Sequence, residues 1–429
     1  MNRTIKIFEL ENTELFFQKC ILWSKQFTEV VALDSNDHSI PYNSLNKIIA
    51  CDAITSIQTN DYIQIKEYQS HLRDWCFGFI TYDVKNEIFN VTSNNPTYLN
   101  FPEIVFFQPK RIITIKDNTV EFSYLIMCDD EISTDFQEIN DSILELSFAA
   151  EPINLVGRVS EERYTNNFNK AIDYIKRGDT YELNYCIEFY NENANLKPEV
   201  FYNHLNQTTK SSFSAFVSWQ GLYAMCASPE RYIKKIKDKL VSQPIKGTAK
   251  RGKTKEEDLK IINDLKNNPK ERAENVMIVD LVRNDLSTIA TKNSVQVEEL
   301  CEIYSFSHVH QMISTISCHV DQTLSPIDIL YQTFPMGSMT GVPKKRTLEI
   351  IDEIEDHKRE LYSGTIGYIS PNQEFDFNVV IRTLLYNSNN NYASLSVGSA
   401  VTFKANAEDE YNECLLKSMA IRNLLAKND

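Results

Sequence analysis

Apolar and polar positions along this chain change rhythm repeatedly. From Glu11 to Phe27 the apolar residues recur at helical spacing, and Val30-Val31-Ala32-Leu33 then forms a short continuous run closed by Asp34-Ser35-Asn36, the pattern of a buried strand. Phe77 to Asp83, Glu103 to Phe107 and Val120 to Ile126 read as further strands. Between Asp130 and Asn154 Ser, Asp and Asn accumulate, which predicts a connection rather than a packed element. Ser160 and Arg163 bracket the first turn of a helix that runs to Arg177-Gly178-Asp179, where glycine suits a helix end. Strands are expected at Tyr181 to Tyr190, Ser214 to Trp219 and Tyr223 to Cys226, and helices near Lys255 to Lys266 and from Asn268-Pro269 onward. There is no internal repeat and no low-complexity tract.

Composition narrows the class without naming a chemistry. The 429 residues allow two or three domains on length alone, although large sheet-rich enzymes often form one body. With 42% hydrophobic and 24% charged residues the chain reads as a soluble globular protein with an ample core. No apolar run is long enough to span a bilayer and the amino terminus lacks a signal-peptide segment, so a cytoplasmic location is expected. Nine cysteines without a C-x-x-C pair fit reduced thiols better than a disulfide framework. A net charge of -15 argues against nucleic-acid binding, while leaving carboxylates free to hold a divalent cation.

Three features carry candidate chemistry. Lys246 stands in Gln243-Pro244-Ile245-Lys246-Gly247-Thr248, where proline stiffens the entry and Gly-Thr permits a turn; it is either a surface lysine in a turn or an amine presented for nucleophilic attack. Glu271 and Glu274 share one helix face just after Asn268-Pro269, and Glu410 and Glu413 share another near the carboxyl terminus. Glu271 also has capping-box spacing from Asn268, and Lys417 is placed for an intrahelical ion pair with Glu413. Two helices that each offer carboxylates are nonetheless a common way to build a magnesium site. The third feature is the glycine-punctuated loop Phe334 to Lys344, which contains Ser338, feeds a helix and offers amides to an anion. Tyr362 to Tyr368 and Val379 to Thr383 read as adjacent strands, and Arg382, interrupting the second apolar run, requires an anionic partner.

In this order the segments resemble the chorismate-utilising enzymes, and among them the branch whose component I forms aminodeoxychorismate. The resemblance runs from about Arg158 to the end and extends more loosely to Leu22-Trp23 and Leu33-Asp34-Ser35-Asn36. It implies an α+β fold with large antiparallel sheets sandwiched between outer helices. Residues 1–155 would form an amino-terminal sheet-rich region interleaved with the main body, and residues 156–429 the chorismate-binding catalytic region.

The resemblance also assigns roles. Glu271 matches the general acid for the C4 hydroxyl, Lys246 a lysine that adds to the ring at C2, and Glu274 and Glu413, with Glu410 close by, the ligands of Mg2+. Tyr362, Arg382, the backbone at Gly398 and Lys417 match substrate-carboxylate contacts, and Ser338 a polar residue beside the ring. With no recognisable glutaminase region, ammonia is expected from a separate glutamine amidotransferase. Glu182 stands where isochorismate- and salicylate-forming relatives carry a water-activating lysine, and anthranilate synthases usually have alanine at the place of Lys246. Anthranilate synthase component I and a non-catalytic relative are the alternatives, the latter suggested by Gln311 where relatives usually have histidine. Some relatives also hold tryptophan in the amino-terminal region.

Overall fold

The computed structural model describes residues 2–36, 38, 41–43 and 47–427. Among these residues every ladder between strands is antiparallel. Two sheets share one ribbon, formed by Lys47–Thr59 and Ile104–Lys116, each 13 residues long. Residues 111–116 continue into Thr119–Leu125 and through it to Arg3–Glu9, whereas residues 104–107 pair with Cys76–Ile80. A register shift between Ala53 and Thr55 falls where the ribbon passes from one sheet to the other, as expected of a bulge that bends a strand pair.

Beyond Lys47–Thr59 the first sheet adds Glu29–Asp34, Phe213–Trp219, Leu222–Ser228, Thr383–Asn387, Tyr392–Thr402 and Glu182–Asn191. The second runs from Cys76–Ile80 through Thr365–Ile369, Phe375–Asn378, Arg231–Ile236 and Lys239–Gln243 to Val309–His319, which Ile245–Lys250 and Gln296–Ser305 flank.

Strand alternation sorts the core into two layers. Val30, Ala32, Ile49, Cys51 and Phe216 pack with Phe17, Ile139, Phe168, Phe201, Ile350 and Ile421 from the outer helices. Their sequence neighbours Val31, Ile48, Ala50, Ala215 and Val217 face the other sheet's Phe79, Ile366 and Phe377, in a layer that continues to Ile278 and Leu330 on the helices Pro269–Ser287 and Pro326–Thr333. The fold is α+β, with antiparallel sheets between outer helices. No helix among the described residues is long and apolar enough to cross a membrane.

Local signals account for much of this. Ser160 Oγ accepts from the Arg163 N–H and Gly178 adopts a left-handed φ of 81°, fixing both ends of Glu161–Arg177. Three expectations are corrected. The polar segment after Asp130 contains the helix Ile132–Asp141, whose Ile132 and Ile139 are buried and whose Phe136 stacks on Phe8 at 4.1 Å. Lys246 lies in a strand, Ile245–Lys250, and not in a turn. Tyr362 precedes the strand Thr365–Ile369, and Arg382, at a φ of 53°, lies in the link between Phe375–Asn378 and Thr383–Asn387.

Candidate active site

Lys246 owes its position to a one-residue irregularity. Ile245 pairs with Ile313 and Thr248 with Gln311, so three steps on one strand oppose two on the other. The surplus falls at Lys246-Gly247, where Gly247 has a φ of 92° that a side chain would strain. A β-carbon there would also stand 3.0 Å from Glu271 Oε2, so the absent side chain lets that carboxylate lie against the strand. The bulge turns Lys246 toward the helix Pro269–Ser287, and its Nζ reaches Glu274 Oε2 at 3.1 Å. Burial pulls the Lys246 pKa down, but Glu274, Glu413 and Glu410 together outweigh burial and hold it above the ordinary value.

The helix Pro269–Ser287 is capped by Asn268, whose Oδ1 accepts from the Lys270 and Glu271 N–H groups. The Asn268 N–H donates to Leu265 O, and no capping box forms, which leaves the Glu271 carboxylate for the site. Burial, followed by the neighbouring Glu274, raises the Glu271 pKa.

The helix Ala407–Lys427 supplies the opposing acids. Lys270 Nζ lies 3.9 Å from Glu274 and 3.8 Å from Glu410, bridging the two helices, and Lys417 Nζ lies 2.6 Å from Glu413. Burial and then Glu413 push Glu410 up to about 7. Burial acts on Glu413 in the same sense, but Lys417, Lys246 and Lys270 outweigh it and hold Glu413 at about 2. Carboxylate oxygens of Glu274, Glu410 and Glu413 are therefore the candidate cation ligands. Among the described residues no three acidic, histidine or cysteine side chains cage a metal by themselves.

The remaining wall is held by a buried ion pair absent from the sequence reading. Arg359 donates to Glu355, to the carbonyls of Asn184 and Met339, and to Ser363 Oγ, joining the strand Glu182–Asn191, the glycine loop and the turn bearing Tyr362. Gly398 sits opposite Cys186 in the ladder, and a β-carbon there would fall 2.2 Å from Asn184 Oδ1. Lys417 Nζ also donates to Gly398 O at 2.7 Å. Tyr362 is buried, and burial pushes its phenol far above the ordinary range. Arg382 is half-buried and makes no ion pair among the described residues; burial lowers its pKa, with Tyr362 and Glu413 acting against that. In the glycine loop, the Gly337 N–H is taken by Asp285, which Lys344 neutralises at 2.8 Å, so one of the offered amides already has its anion.

Glu230 is a further acid that the motif reading passed over. It is 5% exposed, Ser338 Oγ donates to its Oε1 at 2.9 Å, and burial raises its pKa to about 7. The available signal was a Pro-Glu-Arg sequence, at Pro229 to Arg231, between two apolar strands. Gln311 is buried opposite Thr248, whereas His310 is held by Asp258 and Ser305, each at 2.8 Å. A separate cavity between the sheets is lined by Leu33, Asp34, Ser214, Tyr368, Asp376 and Asn378, among others; none of the sequence-predicted site residues lines it.

A bulge-presented lysine thus stands beside carboxylates carried by two helices. The chorismate binding enzyme family matches residues 18–423, and the chain belongs to that family. It is 34% identical over 385 residues to the chloroplastic aminodeoxychorismate synthase of Arabidopsis thaliana, covering 83% of this chain and 41% of that protein. It is 32% identical over 361 residues to aminodeoxychorismate synthase component 1 of Bacillus subtilis strain 168, covering 81% and 76%. The chain thus spans less than half of the plant relative and about three quarters of the bacterial one. Anthranilate synthase component I from Streptococcus pneumoniae TIGR4 shares the fold with a TM-score of 0.78 at 23% identity, over 90% of this chain and 94% of that one. The isochorismate synthase MenF of Escherichia coli does so with a TM-score of 0.76 at 15% identity, over 99% and 95%.

Proposed function

We propose that this enzyme acts as component I of an aminodeoxychorismate synthase, converting chorismate and ammonia to 4-amino-4-deoxychorismate, with ammonia supplied by a separate glutamine amidotransferase. The observation that carries this reading is Lys246, an amine turned by a bulge into a cluster of carboxylates. The similarity to aminodeoxychorismate synthases over more than four fifths of the chain supports it.

Glu274 and Glu413, with Glu410 beside them, fit a hard divalent cation. Every donor is a carboxylate oxygen, the donors come from two helices, and the ammonium groups of Lys246, Lys270 and Lys417 already answer their charge. When bound, Mg2+ would supply positive charge to the ring carboxylate and to the charge developing as the C4 oxygen departs. Lys246 is paired with Glu274 and would have to give up its ammonium proton to water before its amine could act as a nucleophile for C2.

A carboxyl must then protonate the departing C4 oxygen. Glu271 is one candidate. Glu230 has the stronger physical claim, because its deeper burial keeps it protonated to about pH 7 and Ser338 fixes its orientation. Arg382 and Tyr362, with Lys417 and the Gly398 backbone, would grip a substrate carboxylate. Ammonia entering at C4 expels Lys246 from C2 and completes the reaction.

Purified protein given chorismate, magnesium and ammonium chloride should form aminodeoxychorismate, scored as 4-aminobenzoate after a lyase is added. Anthranilate and pyruvate as products, or no product, would refute the reading. Lys246→Ala should abolish a covalent adduct detected by intact mass, and an unchanged adduct would remove Lys246 from the mechanism. Glu230→Gln should lower kcat more than Glu271→Gln; the reverse order returns the acid role to Glu271.

A further inference from the structure

The hairpin that joins Gln296–Ser305 to Val309–His319 carries a second cluster of reactive side chains. Ser305 and His310 are directly opposed in its ladder, and Ser305 Oγ lies 2.8 Å from His310 Nδ1. On the other side of the ring, His310 Nε2 lies 2.8 Å from Oδ1 of Asp258, in the first turn of the helix Lys255–Asn267. The His310 side chain is fully buried, and Ser305 is exposed. Among the described residues none of the three forms a hydrogen bond or ion pair with Lys246, Glu271 or Glu274, so the cluster stands apart from the site described above.

Hydrogen-bonding capacity fixes the direction of this chain. The ionised Asp258 carboxylate only accepts, so Nε2 carries the ring hydrogen, and in the neutral imidazole Nδ1 is left to accept from the Ser305 hydroxyl. Asp258 is itself oriented: Arg251 donates to it through Nε at 2.9 and 3.1 Å and through Nη2 at 2.6 Å, and the Gly252 N–H donates to Oδ1 at 2.8 Å. Arg251 foremost, with Gly252 and His310, holds this carboxyl well below the usual carboxylate range, so it stays charged beside the ring. A tie between helix and hairpin would need only Asp258 and His310. The exposed hydroxyl on the remaining ring nitrogen completes a series of nucleophile, base and orienting acid. At the hairpin tip the Ser307 and His308 N–H groups have no acceptor among the described residues, which leaves them available to an oxyanion close to Ser305 along the chain.

We propose that Ser305, His310 and Asp258 form a second, hydrolytic site that cleaves small acyl esters. It does not depend on the proposed amination. Ser305 Oγ adds to the ester carbonyl carbon while its proton passes to His310 Nδ1, and the charged Asp258 steadies the imidazolium. As the carbonyl re-forms, the bond to the alcohol oxygen breaks, and that oxygen takes the proton from Nδ1. Water then repeats the sequence on the acylated Ser305, releasing the carboxylic acid and restoring the hydroxyl. Because Ser305 lies at the surface, the substrate is a short acyl group on a good leaving group.

Two probes test the site, p-nitrophenyl acetate for turnover and an alkyl fluorophosphonate for the nucleophile. The wild type should release p-nitrophenolate in proportion to enzyme, and the fluorophosphonate should leave a phosphonyl group that peptide mass spectrometry maps to Ser305. Ser305→Ala, a change at an exposed position, should lower the enzyme-dependent rate about 100-fold or more and abolish that label. His310→Gln can still donate to Asp258 but offers no base, and should slow labelling of Ser305 about 100-fold, with its fold checked by Tm. No label on Ser305 in the wild type, or an ester-hydrolysis rate unchanged in Ser305→Ala, overturns the proposal and leaves the three residues as a structural tie. Labelling of a folded His310→Gln at the wild-type rate overturns it as well, since a tie would change Tm and not the reactivity of the hydroxyl.

Discussion

Arg359→Met should damage the enzyme without touching a reacting group. The Arg359 and Glu355 side chains are 1% and 2% exposed. Arg359 donates through Nε to Glu355 at 3.0 and 3.2 Å, through Nη2 to Glu355 at 2.6 Å and to Asn184 O at 2.7 Å, and through Nη1 to Met339 O at 2.7 Å. Glu355 Oε1 in turn accepts the Cys186 N–H at 2.9 Å. Methionine preserves most of the volume and leaves Glu355 as an uncompensated charge, which costs about 3–5 kcal/mol. The carbonyls of Asn184 and Met339 lose their donors too, placing the effect toward the upper end of that range. Removing the orphaned charge as well, in Glu355→Gln/Arg359→Met, should restore about 1–3 kcal/mol relative to the single variant. Urea unfolding followed by tryptophan fluorescence measures all three proteins. A single variant within about 1 kcal/mol of wild type, or a double variant less stable than the single, would refute the argument.

Other outcomes are equally direct. Gly398→Ala would place a methyl 2.2 Å from Asn184 Oδ1 and 2.7 Å from Cys186 Sγ, so it should cost about 1–3 kcal/mol and weaken chorismate binding measured by calorimetry. For Glu230, the folded pKa of about 7 lies above the ordinary value of 4.5, so the folded state holds more protons across that window and stability declines as pH rises through it. Glu230→Gln should match the wild type near pH 4.5 and be roughly 3 kcal/mol more stable at pH 8.5, and a difference independent of pH would refute this. Gly247→Ala should destabilise by about 1 kcal/mol or more through its φ of 92° and lower kcat by crowding Glu271; unaltered Tm and kcat would remove the bulge from the explanation of the site.

The readable parts of the sequence were those governed by near neighbours. Ser160 and Gly178 marked their helix correctly because caps are local devices. The helix Ile132–Asp141 escaped because its apolar positions, Ile132, Phe136 and Ile139, are diluted by Ser, Asp and Asn. Val379-Val380-Ile381 looked like a strand, but the Val379 and Val380 N–H groups donate to Glu230 O and Gly364 O across loops, and the chain turns at Arg382. Lys246 was identifiable as a residue but not as a bulge, since the surplus step exists only relative to Ile313 and Gln311. Glu230 and the Glu355–Arg359 pair become conspicuous through burial, a tertiary property that no short motif displays.

The shared ribbon has a consequence for dividing the molecule. Glu29–Asp34 lies between Lys47–Thr59 and Phe213–Trp219, and Cys76–Ile80 lies between Ile104–Lys116 and Thr365–Ile369. A fragment beginning at residue 156 would lose both and expose Phe213–Trp219 and Thr365–Ile369 as raw sheet edges, inviting self-association through unpaired peptide groups. Co-produced residues 1–155 should keep that fragment soluble by refilling the gaps.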